Sequence, residues 1–247
     1  MADIKLLQSL LPGIPLRAYG ETVSTNNDAR AWLKEGAAHG SLVLADRQTG
    51  GRGRMGRAFA SEDGGLYMSL VIKSGLPAGT LTTLCAVAVR RAVAELTGLT
   101  LDIKWVNDLQ YRGKKVCGIL CEGVWEGEAL LGVIAGIGLN VSQRDFPEAL
   151  RGIAASLYPR GGSPCGTEHF AAAIHRHVFM LLNTVPSHMA EYREACVTLG
   201  RAVRWQERGV WREGTAAAID EDGALLIDTG TGTVRLAAGE VTLKTGD

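Results

Sequence analysis

Several things are scarce in this sequence, and each scarcity excludes something. Only five cysteines occur, Cys85, Cys117, Cys121, Cys165 and Cys196. The number is odd and no C-x-x-C spacing is present, which argues against a disulfide framework or a thiolate zinc site. Cys117 and Cys121 can share one strand face as small buried hydrophobes. Net charge is absent: 26 Lys and Arg balance 26 Asp and Glu. No global field therefore attracts nucleic acid or an anionic membrane. No apolar run is long enough to span a bilayer, since the longest, Ala129 to Val141, is short and glycine-rich. Near the N-terminus, Lys5 and the leucines Leu6, Leu7, Leu10 and Leu11 are interrupted by Gln8, Ser9 and Pro12, which is not a signal peptide. The five histidines show no metal-ligand spacing, and His175 and His177 fall on different helix faces, where both are expected to be solvated. A cytoplasmic protein without nucleic-acid or membrane partners is expected.

What is present suits a folded chain. Apolar residues make up 46% of the 247, enough to bury a sizeable core. Thr25 to Lys34 reads as a helix, with Ser24 or Thr25 as its cap and Thr25-x-x-Asp28 as a capping box. Ser41 to Asp46, Leu66 to Lys73 and Leu101 to Val106 read as strands. Thr80 to Leu96 has the spacing of a buried helix. Val116 to Val124 and Ala129 to Val141 predict a hairpin turning at Glu126-Gly127, and Glu168 to Asn183 and His188 to Leu199 predict two further helices. After Gly200 the texture changes. Arg201 to Trp205, Gly209 to Ala218, Ala224 to Asp228 and Thr233 to Leu236 are closely spaced short strands, which suggests a small all-β barrel of roughly 45 residues packed on the first unit. The division expected is 1–199 and 200–247.

Three segments carry candidate chemistry. Gly51-Arg52-Gly53-Arg54-Met55-Gly56 matches G-x-G-x-x-G. A dinucleotide site needs a helix directly after it and an acid about 20 residues on. Here the loop runs into a strand, and that region holds Gly75, Leu76 and Pro77. The loop instead offers Arg52, Arg54 and Arg57 among glycines, which can surround a polyanion such as a triphosphate with guanidiniums and backbone N–H groups; the alternative is a solvated basic loop. Such a loop is expected to be mobile without ligand. The second segment, Lys104-Trp105-Val106-Asn107-Asp108, leads through a polar turn to Lys114-Lys115 and Gly118. If that turn closes a hairpin, Asp108 and Lys115 meet at one sheet end, either as a phosphate site or as a surface salt bridge. In the third, Gly136-Ile-Gly138-Leu-Asn140-Val141, glycines inside an apolar strand suggest close approach of a backbone or a flat ligand. Asn140 either reads a purine through its amide or starts the next turn.

Taken in order, these stretches resemble the biotin protein ligase family. The resemblance rests on Ser24-Thr25-Asn26, Gln48-Thr49, Gly51 to Arg57, Lys104-Trp105 with Asn107-Asp108, Lys115-x-x-Gly118-Ile119-Leu120, Gly136 to Val141 and the tail Gly239-Glu240-Val241. It covers nearly the whole chain, and its specificity lies in the order of the motifs. It implies an α+β catalytic domain with a mixed, mainly antiparallel sheet, like that of class II aminoacyl-tRNA synthetases, followed by a small SH3-like β-barrel. By that resemblance, Ser24, Thr25, Asn26, Gln48, Arg52, Gly53, Arg54, Lys115 and Gly118 would bind biotin. Arg52, Arg54, Arg57, Phe59 and Asn140 would bind ATP and the adenylate, and Arg54, Lys115 and Asp108 would be catalytic. Two positions depart from the family pattern: Phe59 stands where it has tryptophan, and Val106 where it has proline, which is expected to loosen the turn.

The implied activity is ATP-dependent formation of biotinyl-AMP, followed by transfer of biotin to a lysine of a biotin carboxyl carrier protein. Mg²⁺ would arrive with ATP rather than on a protein site, and the enzyme would be a monomer or homodimer. Only about 20 residues precede Ser24, so no DNA-binding domain and no repressor activity are expected. The alternatives are a lipoate or octanoate ligase of the same superfamily, which needs an apolar slot in place of ureido donors, and a non-catalytic biotin-binding sensor.

Overall fold

The computed structural model describes residues 2–237, 239 and 241–243, so Glu240 of the tail stretch lies outside the described residues. The chain first forms α1 (Ile4–Leu10), β1 (Leu16–Thr22), α2 (Thr25–Lys34), β2 (Leu42–Gln48), β3 (Gly65–Ile72) and α3 (Ala78–Thr97). It continues through β4 (Asp102–Lys104), β5 (Asp108–Tyr111), β6 (Lys114–Glu126), β7 (Ala129–Asn140), α4 (Thr167–Leu182) and α5 (His188–Glu194). Strands β1 to β7 make one sheet in the order β1-β2-β3-β7-β6-β5-β4. Only the β1–β2 pair is parallel; the other neighbours are antiparallel. The sheet is therefore mixed and mainly antiparallel, as expected.

The two faces of the sheet differ. Every residue of β3 is buried, so that strand is covered on both sides. Behind the sheet lies the large core, where α3 contributes Leu81, Leu84, Cys85, Ala88 and Ala92, and α4 contributes Phe170, Ile174 and Val178. Pro77 precedes α3 and Gly98, at φ 71°, ends it in the left-handed cap that glycine tolerates best. In front lies a smaller core. Ala29 and Leu33 of α2 pack on Val43, Val71, Val124 and Ile134. The first turn of α2 extends beyond that apolar patch, and the polar residues gather there.

The second unit comprises β8 (Ala202–Glu207), β9 (Val210–Ile219), β10 (Leu225–Asp228), β11 (Thr233–Leu236) and β12 (Thr242–Leu243), an antiparallel sheet in the order β11-β10-β9-β8-β12. It is tied to the first by the Trp105 indole N–H, which donates to the Gly223 carbonyl at 2.9 Å, and by Arg193 Nε, which donates to the Ile219 carbonyl at 2.7 Å.

Some sequence expectations need correction. The segment after Glu194 is not helix. It turns back so that Ile103 N–H donates to Ala195 O and Val197 N–H to Ile103 O, bonds that a continuing helix would forbid. The Asn107-Asp108 turn leads straight into β5, which the sequence pattern does not reveal, as it does not reveal α1 and β1. Ser24 occupies the N-cap of α2 but makes no side-chain cap bond, and the capping box is not formed. Asp28 instead accepts from the Thr22 hydroxyl at 2.7 Å. His175 is buried with its Nε2 2.9 Å from Gly40 O, and His177 Nε2 lies 2.8 Å from Glu95, so neither is simply solvated. The Val106 turn is held on both sides: Trp105 N–H donates to Thr198 Oγ1 at 3.0 Å, and Tyr192 Oη donates to Val106 O at 2.9 Å.

Candidate active site

The floor of the site is made by what its strands lack. Gly118 of β6 pairs with Gly138 of β7, and Gly136 pairs with Leu120. A Cβ at Gly138 would collide with the Phe59 ring, and one at Gly136 with the Asn26 carboxamide. The glycines expected to admit a flat group thus admit a phenyl ring and an amide. Above them is a cavity of ≈ 310 Å³, lined at its Gly136 end by Asn26 with Thr25, Ser24 and Gln48, and at its Gly118 end by Asp108 and Lys115; Arg57 lines it too. Arg52, Gly53, Arg54, Phe59 and Gly118 also line it. The size suits a small ligand.

The helix-α2 end is a chain of hydrogen bonds. Gln48 Oε1 accepts from Thr25 N–H at 2.9 Å and lies 3.2 Å from Thr25 Oγ1. Gln48 Nε2 donates to Ser61 Oγ at 2.8 Å, and Ser61 Oγ lies 3.0 Å from Phe59 O. Ser69 Oγ stands 2.8 Å from Thr25 Oγ1 and 2.6 Å from Asn26 Oδ1. Ser24, Thr25, Asn26, Ser61 and Ser69 are buried, so each polar atom must be partnered or left for a ligand.

The opposite end is cationic. Strands β5 and β6 are joined by Arg112 and Gly113, both at positive φ (52° and 73°), the conformation of a tight two-residue hairpin. That hairpin sets Lys115 Nζ 2.6 Å from Asp108 Oδ1, each side chain about a quarter exposed (29% and 25%). Asn107 secures the strand start, donating from Nδ2 to Ile119 O at 2.9 Å. The Gly/Arg segment closes over the cavity as a small hairpin: Gly53 N–H donates to Arg57 O at 2.7 Å and Phe59 N–H to Gly51 O at 2.9 Å, with Met55 (φ 56°) and Gly56 (φ 74°) at its tip. Backbone hydrogen bonds thus give the segment a defined shape that its composition did not reveal. Lys115 Nζ also lies 5.8 Å from the Phe59 ring centroid, within cation–π range. Burial pushes the thiol of Cys117, two residues along β6 from Lys115, far up, so that sulfur stays protonated.

One residue singled out in the sequence stands apart. Asn140 does not line the cavity. Its Nδ2 donates to Ala155 O at 3.1 Å, while its Oδ1 is buried without a partner among the described residues. Sequence reasoning missed Ser61, Ser69 and Glu122. Ser69 had a signal, as the one hydroxyl inside the apolar strand Leu66 to Ile72 apart from the Tyr67 phenol. Among the described residues no group of three His, Cys, Asp or Glu stands together to hold a metal ion, and no helix is long and apolar enough to cross a membrane.

With this geometry, the likenesses to known proteins are specific. The biotin/lipoate A/B protein ligase family matches residues 19–140, and the biotin protein ligase C terminal domain matches residues 198–244. A bifunctional ligase/repressor of Bacillus subtilis is 34% identical over 232 residues, covering 89% of this chain and 71% of the relative. A biotin--[acetyl-CoA-carboxylase] ligase of Mycobacterium tuberculosis is 33% identical over 243 residues, 92% of this chain and 88% of the relative. The biotin protein ligase of Aquifex aeolicus, solved in complex with biotin and ATP, superposes with a TM-score of 0.81 at 28% identity, covering 94% of this chain and 99% of that one. The fold, the order of motifs and these likenesses agree: the chain belongs to the biotin protein ligase family.

Proposed function

We propose that this protein activates biotin with ATP as biotinyl-AMP and transfers it to a lysine of a biotin carboxyl carrier domain. One observation carries the reading: a single cavity joins a partly buried amide–hydroxyl chain at Thr25 and Gln48 to the Lys115–Asp108 pair. The first suits a planar urea-like head and the second an anionic tail meeting a phosphate. Residues 1–199 form the catalytic unit in this reading, and 200–247 the C-terminal unit.

The chemistry needs no protein nucleophile. The biotin carboxylate attacks the α-phosphorus of ATP, the bond to the bridging oxygen breaks, and pyrophosphate leaves. The obstacle is repulsion between an anion and a polyanion. Lys115, Arg54 and Arg57 line the approach and offset it, so catalysis is positioning plus charge stabilisation. Mg²⁺ carried by the nucleotide would neutralise phosphate charge, consistent with Asp108 being the only carboxylate among the described lining residues. The Gly/Arg hairpin covers the mixed anhydride against water. In the second step a neutral lysine amine attacks the acyl carbon and AMP leaves; Asp108 orients that amine and accepts its proton. Asn140 lies outside the cavity lining and its Nδ2 donates to Ala155 O at 3.1 Å, so in this reading it braces the chain after β7 and does not touch adenine. A cytoplasmic setting is supported by five free thiols.

The test is mass spectrometry of a biotin carrier domain after incubation with the protein, Mg-ATP and equimolar biotin and lipoate. A biotin adduct on one lysine is expected. A lipoyl adduct overturns the substrate assignment, and no adduct with tight biotin binding overturns the enzymatic one in favour of a sensor.

A further inference from the structure

Glu122 belongs to neither end of the cavity, yet it touches parts of both walls. It lies on β6 between the glycine floor and the small front core. Its Oε2 accepts from Asn26 Nδ2 at 2.9 Å, and its Oε1 lies 3.2 Å from Arg30 Nη2. Asn26 and Arg30 are four residues apart and so share a face of α2. Arg52 of the Gly/Arg hairpin points the same way: its Nη2 donates to Asn27 Oδ1 at 2.7 Å and stands 3.9 Å from Glu122 Oε2. One carboxylate thus faces the side chains of two walls of the cavity.

An ionised carboxylate only accepts hydrogen bonds, and this sets the direction of everything attached to it. Asn26 must turn its NH₂ toward Glu122 Oε2 and Leu120 O, the latter 3.4 Å away. Its Oδ1 then faces Ser69, which has a single proton and spends it on that 2.6 Å contact. Ser69 is left as an acceptor beside Thr25 at 2.8 Å. The Thr25 hydroxyl proton goes to Ser69 or to Gln48 Oε1, and in either case a Thr25 lone pair remains. Gln48, whose Oε1 accepts from the Thr25 amide, keeps one Nε2–H beyond its bond to Ser61. Between them, Thr25 and Gln48 therefore retain an acceptor and a donor, the complement of a urea N–H and C=O.

We propose that Glu122 is a positioning residue for ligand recognition: through Asn26 it holds Ser69 as an acceptor beside Thr25, so that the Thr25 Oγ1 lone pairs stay available to a ligand, and through Arg52 it anchors the Gly/Arg hairpin on the same wall. The inference rests on the biotin reading above. It is tested in the full-length protein with Glu122→Gln, which keeps the shape but supplies a competing donor, and with Ser69→Ala, which removes the link. Both should raise the biotin KM by about tenfold while kcat and the ATP KM stay within about twofold. A general packing defect would instead lower kcat and the unfolding temperature together. A biotin KM within about twofold of wild type in either folded variant overturns the inference. For a variant too slow to assay, direct titration with biotin reads the same tenfold loss as weaker binding. If the wild-type protein fails to turn over biotin at all, the functional reading falls, and this inference with it.

Discussion

Lys115→Met is the substitution whose effect the geometry fixes best. Methionine keeps the unbranched stem over Gly118 and beside Phe59 and removes only the charge. Two unit charges 4 Å apart attract by about 4 kcal/mol at the effective dielectric of a protein surface. Lys115 is 29% exposed and partly engaged with Asp108, so solvent screening reduces the usable part to about 2–3 kcal/mol. Pyrophosphate release in the presence of biotin and ATP should therefore slow by about 100-fold. The double variant Lys115→Met/Asp108→Asn separates two causes. If Lys115 acts on the reacting phosphate, neutralising Asp108 restores little. Rates within about threefold of wild type in the single variant, or recovery to that level in the double, would refute the reasoning.

Three other perturbations have definite expectations. Gly136→Ala drives a methyl into the buried Asn26 carboxamide; unfolding by urea should show a loss of about 1–3 kcal/mol, and an unchanged midpoint would mean that Asn26 is not held as described. Trp105→Phe leaves the Gly223 carbonyl without its 2.9 Å donor, which should cost about 1 kcal/mol in the same assay. For His188, Thr83 Oγ1 donates to Thr80 O, so the imidazole Nε2 carries the proton in its 3.0 Å contact with Thr83 and Nδ1 is left buried without a partner among the described residues. Burial, and then nearby charges of which Arg193 and Arg91 lower it and Glu221 raises it, brings its pKa from 6.5 down to about 4. Between those values the unfolded chain binds a proton that the folded one refuses, so stability falls as pH drops from 6.5 to about 4 and levels off below. His188→Gln should flatten that part of the pH–stability curve, and an unaltered slope would remove His188 as its cause.

Legibility in the sequence followed the range of the interactions. Helix α2, strands β2 and β3, helix α3 and the β6–β7 hairpin were readable because each carries its own pattern and its own stop signals. Strand β1 was not. Its residues are almost all half-buried, so no alternation marks it, and its parallel partner lies beyond α2. Strand β5 hid inside a segment whose Asn-Asp pair reads as a turn, with Leu109 as its one fully buried residue. The site divides in the same way. Twelve of its residues were visible as motifs that the cavity does gather: Ser24, Thr25, Asn26, Gln48, Arg52, Gly53, Arg54, Arg57, Phe59, Asp108, Lys115 and Gly118. The hydrogen bond from Asn26 to Glu122 spans 96 positions, and no local pattern announces it. Polar residues within apolar strands, such as Ser69 and Glu122, were the readable trace of that contact.

The arrangement also explains why so polar a site leaves the fold intact. Behind the sheet, α3 and α4 form a continuous apolar core that needs nothing from the front. The front face runs from aliphatic contacts at Val71, Val124 and Ile134, through the Glu122–Asn26–Ser69 chain, to Gly136 and Gly138 beneath the Asn26 carboxamide and the Phe59 ring. Each step along it exchanges packing for recognition. The buried hydroxyls and amides there are tolerable because each satisfies the next. The groups left incomplete, at Thr25 and Gln48, lie in the cavity lining, where the small ligand of the proposed reaction would complete them. A site built this way should gain stability on binding, since ligand atoms satisfy polar groups the empty protein has already desolvated.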